Sequence, residues 1–324
     1  MGNVFRRYGV PYQGSKNAIV PWVMSYLPAA VNFVDVFAGG CAVTHGALLS
    51  GKYRHFIVND LSDAPQLFLD AVHGKFKDEK RWITREQFFE LKDKEPYIKY
   101  CWSFGMIGTQ YIYGDGVYEW KRALHWLYVY GDDSLMRRFG IDRPNITRRD
   151  ILENAEYYRQ KYFEWSNYQI TVKQEDKVDN VAQNESLARL CHAQCLQSLE
   201  SLQCLQSLES LQCLQKDYRS LDIPPQSLVY CDPPYRGTCQ NGYGDEVNGK
   251  FDYDAFYDWA EKQAERNIVV ISEYNMPAER FECIGKRYKA CTMGTGNVNQ
   301  ARIEKLFVPK CCVEEYWRQS PRLC

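Results

Sequence analysis

Seven residues, Asn32-Phe33-Val34-Asp35-Val36-Phe37-Ala38, are apolar but for Asn32 and one acid, and run straight into the pair Gly39-Gly40. Their valines and phenylalanines predict a buried strand, and the glycines a turn too tight for side-chain-bearing residues. A helix is predicted beyond it, from Ala42 to about Leu49. A second short strand, His55-Phe56-Ile57-Val58, ends in Asn59-Asp60, which places an acid twenty residues beyond Gly40. That spacing suits an acid bonding the ribose of a nucleotide-like ligand laid over the first turn. No GxGxxG is present, so a dinucleotide with its pyrophosphate is disfavoured. The glycine pair alone would be a plain tight turn; the downstream acid shifts the balance towards a ligand site.

A further apolar run, Ser227-Leu228-Val229-Tyr230-Cys231, hands over to Asp232-Pro233-Pro234-Tyr235. An acceptor, two rigid prolines and a ring in succession suit a flat, amino-bearing ligand. Asp232 accepts from the amino group, the prolines fix φ and turn the intervening carbonyl outward, and Tyr235 stacks on the face. The bland account is a strand followed by a polar proline turn. Downstream, an amphipathic helix is predicted from Tyr253 to Arg266 and a buried strand over Asn267–Ser272. Tyr288–Met293, the glycine-rich turn Gly294–Asn297 and Lys305–Pro309 read as a closing hairpin. A mixed α/β sheet accommodates these elements.

Between Gly74 and Tyr168 the strand and helix alternation fades, which marks an insertion. From Tyr97 to Tyr130 rings are dense and broken by Gly105, Gly108, Gly114 and Gly116, as in an exposed recognition surface on loops. A small aromatic core is the simpler alternative. Arg137-Arg138, Arg143 and Arg148-Arg149 form a basic stretch able to track a phosphate backbone. Residues 195–203 and 204–212 are identical, Cys-Leu-Gln-Ser-Leu-Glu-Ser-Leu-Gln, with leucine at every third position; a helix or neutral spacer is expected there. Net charge is -1, so any phosphate contact must be local. Thirteen cysteines with no CxxC indicate free thiols in a reducing compartment rather than a metal site, and the zinc deaminase pattern is absent. With no run of transmembrane length and no signal-peptide pattern, a cytoplasmic protein without membrane partners is expected.

Four segments, in order, resemble the adenine-specific DNA methyltransferases of the DNA adenine methylase (D12) class: Tyr12-Gln13-Gly14-Ser15-Lys16, Asp35 to Gly40, Asp60, and Asp232 to Tyr235. One departure is that the family's loop reads FxGxG, whereas here it is Phe37-Ala38-Gly39-Gly40-Cys41. The resemblance implies a Rossmann-like methyltransferase sheet formed by residues 1–73 and 169–324, with a target-recognition domain at 74–168. It further implies S-adenosylmethionine as cofactor, with Tyr12 and Lys16 at its methionine end, Asp35, Phe37, Gly39 and Gly40 holding it, Asp60 on the ribose, and Asp217-Tyr218 at its adenine. Asp232 would touch both cofactor and target. Double-stranded DNA is the implied partner, alongside a cognate restriction endonuclease. In the insertion, Gln110 would read an adenine edge, Tyr111 or Tyr113 would fill the gap left by the flipped base, and Arg137 and Arg138 would meet phosphates. Asp232 and the Pro233 carbonyl, accepting both amino hydrogens, would direct the nitrogen lone pair at the methyl group. Methylation of cytosine in DNA or of adenine in RNA uses the same acceptors, and a silent binding protein is the rival from another class.

Overall fold

The computed structural model describes residues 8–141, 157, 160, 161, 163–166, 195, 199, 201–205, 210–236, 251–289 and 302–320. The chain divides into two compact units, one formed by Met1–His73 and Cys204–Cys324 and the other by Gly74–Gln203.

Among the described residues of the first unit seven strands make one sheet: β1 (Asn32–Asp35), β2 (His55–Asn59), β3 (Leu211–Leu214), β4 (Ser227–Cys231), β5 (Ile268–Glu273), β6 (Phe281–Lys289) and β7 (Arg302–Pro309). Their spatial order is β3-β2-β1-β4-β5-β7-β6. Strands β1 to β5 are parallel, and β7 runs antiparallel between β5 and β6. Every residue of β4 and β5 is buried, as expected where helices cover both faces of a parallel sheet. This is a Rossmann-like α/β sheet. From β1 the chain moves outward to β2 and β3, and from β4 the other way to β5, so the winding reverses between two adjacent strands. The carboxyl ends of such a pair open into a crevice. Asp35 pairs in register with Tyr230, which sets the glycine turn after β1 beside the Asp-Pro-Pro-Tyr turn after β4.

Two expectations are corrected by the strands. The outer strand of the closing hairpin starts at Phe281, not Tyr288. A β-bulge between Cys283 and Gly285 keeps it continuous, and the Tyr26 ring lies 2.7 Å from where a Gly285 Cβ would stand. The glycine-rich turn 294–297 lies outside the described residues. The tandem repeat is not one helix: Leu202–Leu205 forms a 3-10 turn, whereas the same tetrapeptide at Leu211–Leu214 is strand β3. Phe56, Ile57, Val58 and Asn59 of β2 supply its partners in the second case. Available pairing, not propensity, decides the conformation.

The second unit also differs from the loop-rich surface expected of it. Helices span Arg85–Leu91, Pro96–Cys101 and Asp115–Tyr130. Trp82 stacks on Tyr113 at 5.5 Å and 7°, and Trp102 and Trp120 are each 2% exposed or less. The rings form a core.

Candidate active site

The N-terminal segment lies on the glycine turn. Val10 N–H donates to the Gly40 carbonyl at 2.8 Å, and a Cβ on Gly40 would stand 2.6 Å from Tyr12 Cβ and from the Val10 carbonyl oxygen. Gly39 has φ +47°, and its N–H donates to Asp60 Oδ2 at 2.8 Å. Cys41, where the family's loop has glycine, has φ +59°, so the left-handed backbone that glycine takes freely survives the substitution under strain.

Beneath this segment is a cavity of about 440 Å³, open at the carboxyl ends of β1 and β4, a size suited to a small-molecule ligand. Tyr12, Lys16, Asp35, Phe37, Gly39 and Gly40 line one part of its wall. Asp60, Asp217, Tyr218, Asp232 and Pro234 line another. Asp217 and Tyr218 arrive there because Lys216, just past β3, is held by Asn59 on both its N–H and its carbonyl, at 3.0 Å each. The strand contributed by the repeat thus delivers two lining residues. Phe37, Tyr218 and Phe251 form a ring cluster with centroids 5.4 to 6.0 Å apart. Phe251 escapes sequence reasoning, because its only local signal is its place before a helix.

Asp35 is 1% exposed and accepts from the Thr44 hydroxyl through Oδ2 at 2.6 Å, while its Oδ1 has no hydrogen-bond partner among the described residues. Burial pushes its carboxyl from 3.8 to about 7; Thr44 opposes the shift, and the charges of Asp232 and Asp60 add to it. A carboxylate oxygen left unmatched in a cavity wall, beside a glycine cradle and a ring cluster, fits a ligand bearing a cationic amino group and an aromatic base.

Asp232 and Tyr235 sit in a buried charged cluster. Lys16 Nζ stands 2.8 Å from Asp232 Oδ1, 3.5 Å from Glu304 Oε1 and 4.5 Å above the Tyr235 ring centroid. Burial pulls the Lys16 ammonium down, but Asp232 and Glu304 together outweigh it and hold it charged. Burial lifts the Asp232 carboxyl above the usual range against the pull of Lys16. The Tyr235 hydroxyl donates to Glu304 Oε1 and lies 2.9 Å from Ser272 Oγ, which in turn is 2.7 Å from Glu304 Oε1. Glu273 accepts the N–H groups of Arg236 and Tyr274 and so fixes the chain just after Tyr235. Glu304, Ser272 and Glu273 are additions that the sequence motifs do not contain. Lys16, assigned by resemblance to the cofactor's methionine end, both lines the cavity and lies against Asp232.

The described residues of the second unit separate the remaining candidates. Tyr111 and Tyr113 are each 5% exposed, and the Tyr111 hydroxyl donates to the Ile83 carbonyl at 2.7 Å, so both belong to the core rather than to a surface. Gln110 is exposed on the loop 103–111, which the Ser103–Tyr111 bridge closes; Phe104, 56% exposed, is the outward ring of that loop. Arg137 and Arg138 are exposed on a 3-10 turn, with Arg137 3.6 Å from Asp133. Arg143, Arg148 and Arg149 lie outside the described residues.

The family model for D12 class N6 adenine-specific DNA methyltransferases matches residues 12–190. The chain belongs to that family. It is therefore an enzyme of DNA adenine methylation. The matched span takes in Tyr12 to Asp60 and ends before the tandem repeat, so Asp217 to Tyr235 lie beyond it. Among curated proteins none matches the chain. Among the described residues, no helix is long and apolar enough to cross a membrane.

Proposed function

We propose that this D12 class methyltransferase uses S-adenosylmethionine, held in the cavity under the N-terminal segment, to methylate the 6-amino group of an adenine turned out of the DNA duplex at Asp232. The observation that carries the reading is the Lys16–Asp232 pair. The protein's own amine occupies a partly buried carboxylate over an aromatic ring, in the arrangement that a target amino group over Tyr235 would take.

Asp35 Oδ1 is the acceptor for the cofactor's amino group, Asp60 for its ribose, and Phe37 and Tyr218, with Phe251, flank its adenine. Tyr12, Gly39 and Gly40 shape the cradle, and Asp217 stands at its rim. Bound there, S-adenosylmethionine supplies an electrophilic methyl group. Asp232 and the Pro233 carbonyl accept the two amino hydrogens, drawing electron density onto a nitrogen that its ring otherwise delocalises. The proton lost on methylation leaves through Asp232. Pro234 fixes the turn, and Glu304 with Ser272 holds the Tyr235 ring by its hydroxyl. Held reactants in such geometry can supply about 7 to 11 kcal/mol of the barrier. Entry of the base displaces Lys16 from Asp232 and from the face of Tyr235. On the second unit, Gln110 and Phe104 of the loop 103–111 and the pair Arg137, Arg138 are assigned to DNA. A cytoplasmic restriction-modification pair with a cognate endonuclease is the setting that this chemistry suits.

The test is to incubate the protein with S-adenosylmethionine and unmethylated genomic DNA, digest to nucleosides and quantify methylated adenine by mass spectrometry. Asp232→Ala is expected to abolish transfer while S-adenosylmethionine still binds in equilibrium dialysis. Turnover retained in that variant removes Asp232 from the chemistry.

A further inference from the structure

Among the described residues, the sheet ends in an antiparallel pair whose outer strand, β6, has one neighbour only. Because β7 runs against β5, the start of β7 and the end of β6 lie at the sheet edge where β1 and β4 deliver the glycine turn and Asp232. The register continues outward from that edge: Glu273 opposite Lys305, Lys305 opposite Lys286, Glu304 opposite Arg287, and Ile303 opposite Tyr288. Residues directly opposite share a face. Glu304 reaches the Tyr235 hydroxyl, so Arg287 stands one strand further out on the same face, a step of about 4.8 Å.

Lys286, Arg287 and Tyr288 are exposed, Tyr288 at 76%. Among the described residues, neither Lys286 nor Arg287 has an acidic partner. Lys286 faces Lys305, a like-charge pairing that works against the sheet. From Cys283 to Ile303 the sequence holds four basic residues and no acid, in a chain of net charge -1. The bulge at Cys283/Gly285 comes directly before these side chains, and bulges bend a strand and re-aim the residues beyond them.

We infer that the outer half of β6 is a contact surface for the DNA backbone, which runs along the strand's free edge, with Arg287 from the Glu304 face and Lys286 from the other face reaching round that edge to phosphates. The inference rests on the chain's acting on DNA, not on the roles given above to the cavity residues. Cations on an edge strand can also serve only to prevent edge-to-edge pairing between molecules, and that role leaves DNA binding untouched.

Fluorescence anisotropy of a labelled, unmethylated, random-sequence duplex, titrated with the full chain over a series of salt concentrations, separates the two. Lys286→Ala/Arg287→Ala is expected to lower the slope of log affinity against log salt by about two. Lys262→Ala/Arg266→Ala removes two exposed cations from the end of the helix that leads into β5, at the opposite sheet edge, and is expected to leave the slope unchanged. If loss of charge makes the first variant self-associate, Lys286→Glu/Arg287→Glu keeps the edge charged and is expected to weaken binding at least as much. A parental slope in both variants, in a protein that methylates DNA, overturns this surface alone. A parent chain that binds no DNA overturns instead the reading on which it rests.

Discussion

Asp35 offers the most quantitative test of the cavity. Between pH 3.8 and about 7 its native carboxyl keeps a proton that the unfolded chain has released. Stability therefore falls as pH rises through that window, and the loss is complete above it. At about 1.4 kcal/mol per pH unit the gap amounts to about 4 kcal/mol at pH 8. Asp35→Asn keeps the shape and the Thr44 hydrogen bond but cannot ionise. The variant should match or trail the parent at pH 4 and exceed it by up to about 4 kcal/mol at pH 8, measured by urea unfolding of both proteins at each pH. The same change should weaken S-adenosylmethionine binding by calorimetry about tenfold to a hundredfold, the value of a hydrogen bond to a charged group. Parallel stability curves for the two proteins, or a variant that is less stable at pH 8, would refute the reasoning: Asp35 would then not be a buried acid held at a cost to the empty protein.

Gly40→Ala drives a Cβ into Tyr12 and the Val10 carbonyl, both at 2.6 Å; it should cost about 1 to 3 kcal/mol in thermal unfolding and abolish cofactor binding, and normal binding would show that the N-terminal segment is not pinned there. Tyr111→Phe removes the donor to the Ile83 carbonyl and should cost about 1 to 3 kcal/mol with DNA affinity unchanged. Phe104→Ala should do the reverse, changing stability by no more than about 0.5 kcal/mol while weakening DNA binding in a gel-shift titration. Lys16→Met leaves Asp232 and Glu304 without their cation; the cost should be about 3 to 5 kcal/mol at pH 8, shrinking as falling pH protonates Asp232, whose carboxyl burial lifts above the usual range, and a pH-independent cost would place the loss in packing alone.

What the sequence made legible is what the backbone demands locally. Gly39 must supply φ +47°, the apolar runs Phe33-Val34 of β1 and Leu228 to Cys231 of β4 suit buried strands, and an acid and two prolines after a strand can be read where they stand. Partners distant in sequence are another matter. Lys16 meets Asp232 and Glu304 only because the sheet orders β4, β5 and β7 side by side, and no local pattern encodes that order. Ring density is likewise ambiguous: Tyr111 differs from Phe104 not in chemistry but in which way a loop of nine residues presents it. The repeat is the sharpest case, since one tetrapeptide takes two conformations in one chain. Yet Glu304 does carry a signal. In Arg302–Pro309 the alternate residues Glu304, Leu306 and Val308 are all 1% exposed or less, so period two alone puts a carboxylate on the apolar face of a strand. Burying it costs free energy unless something charged or hydrogen-bonding meets it. An acid at an inward strand position thus points, from its spacing alone, to a partner elsewhere in the fold. In this chain those partners are the Tyr235 hydroxyl, Ser272 and Lys16.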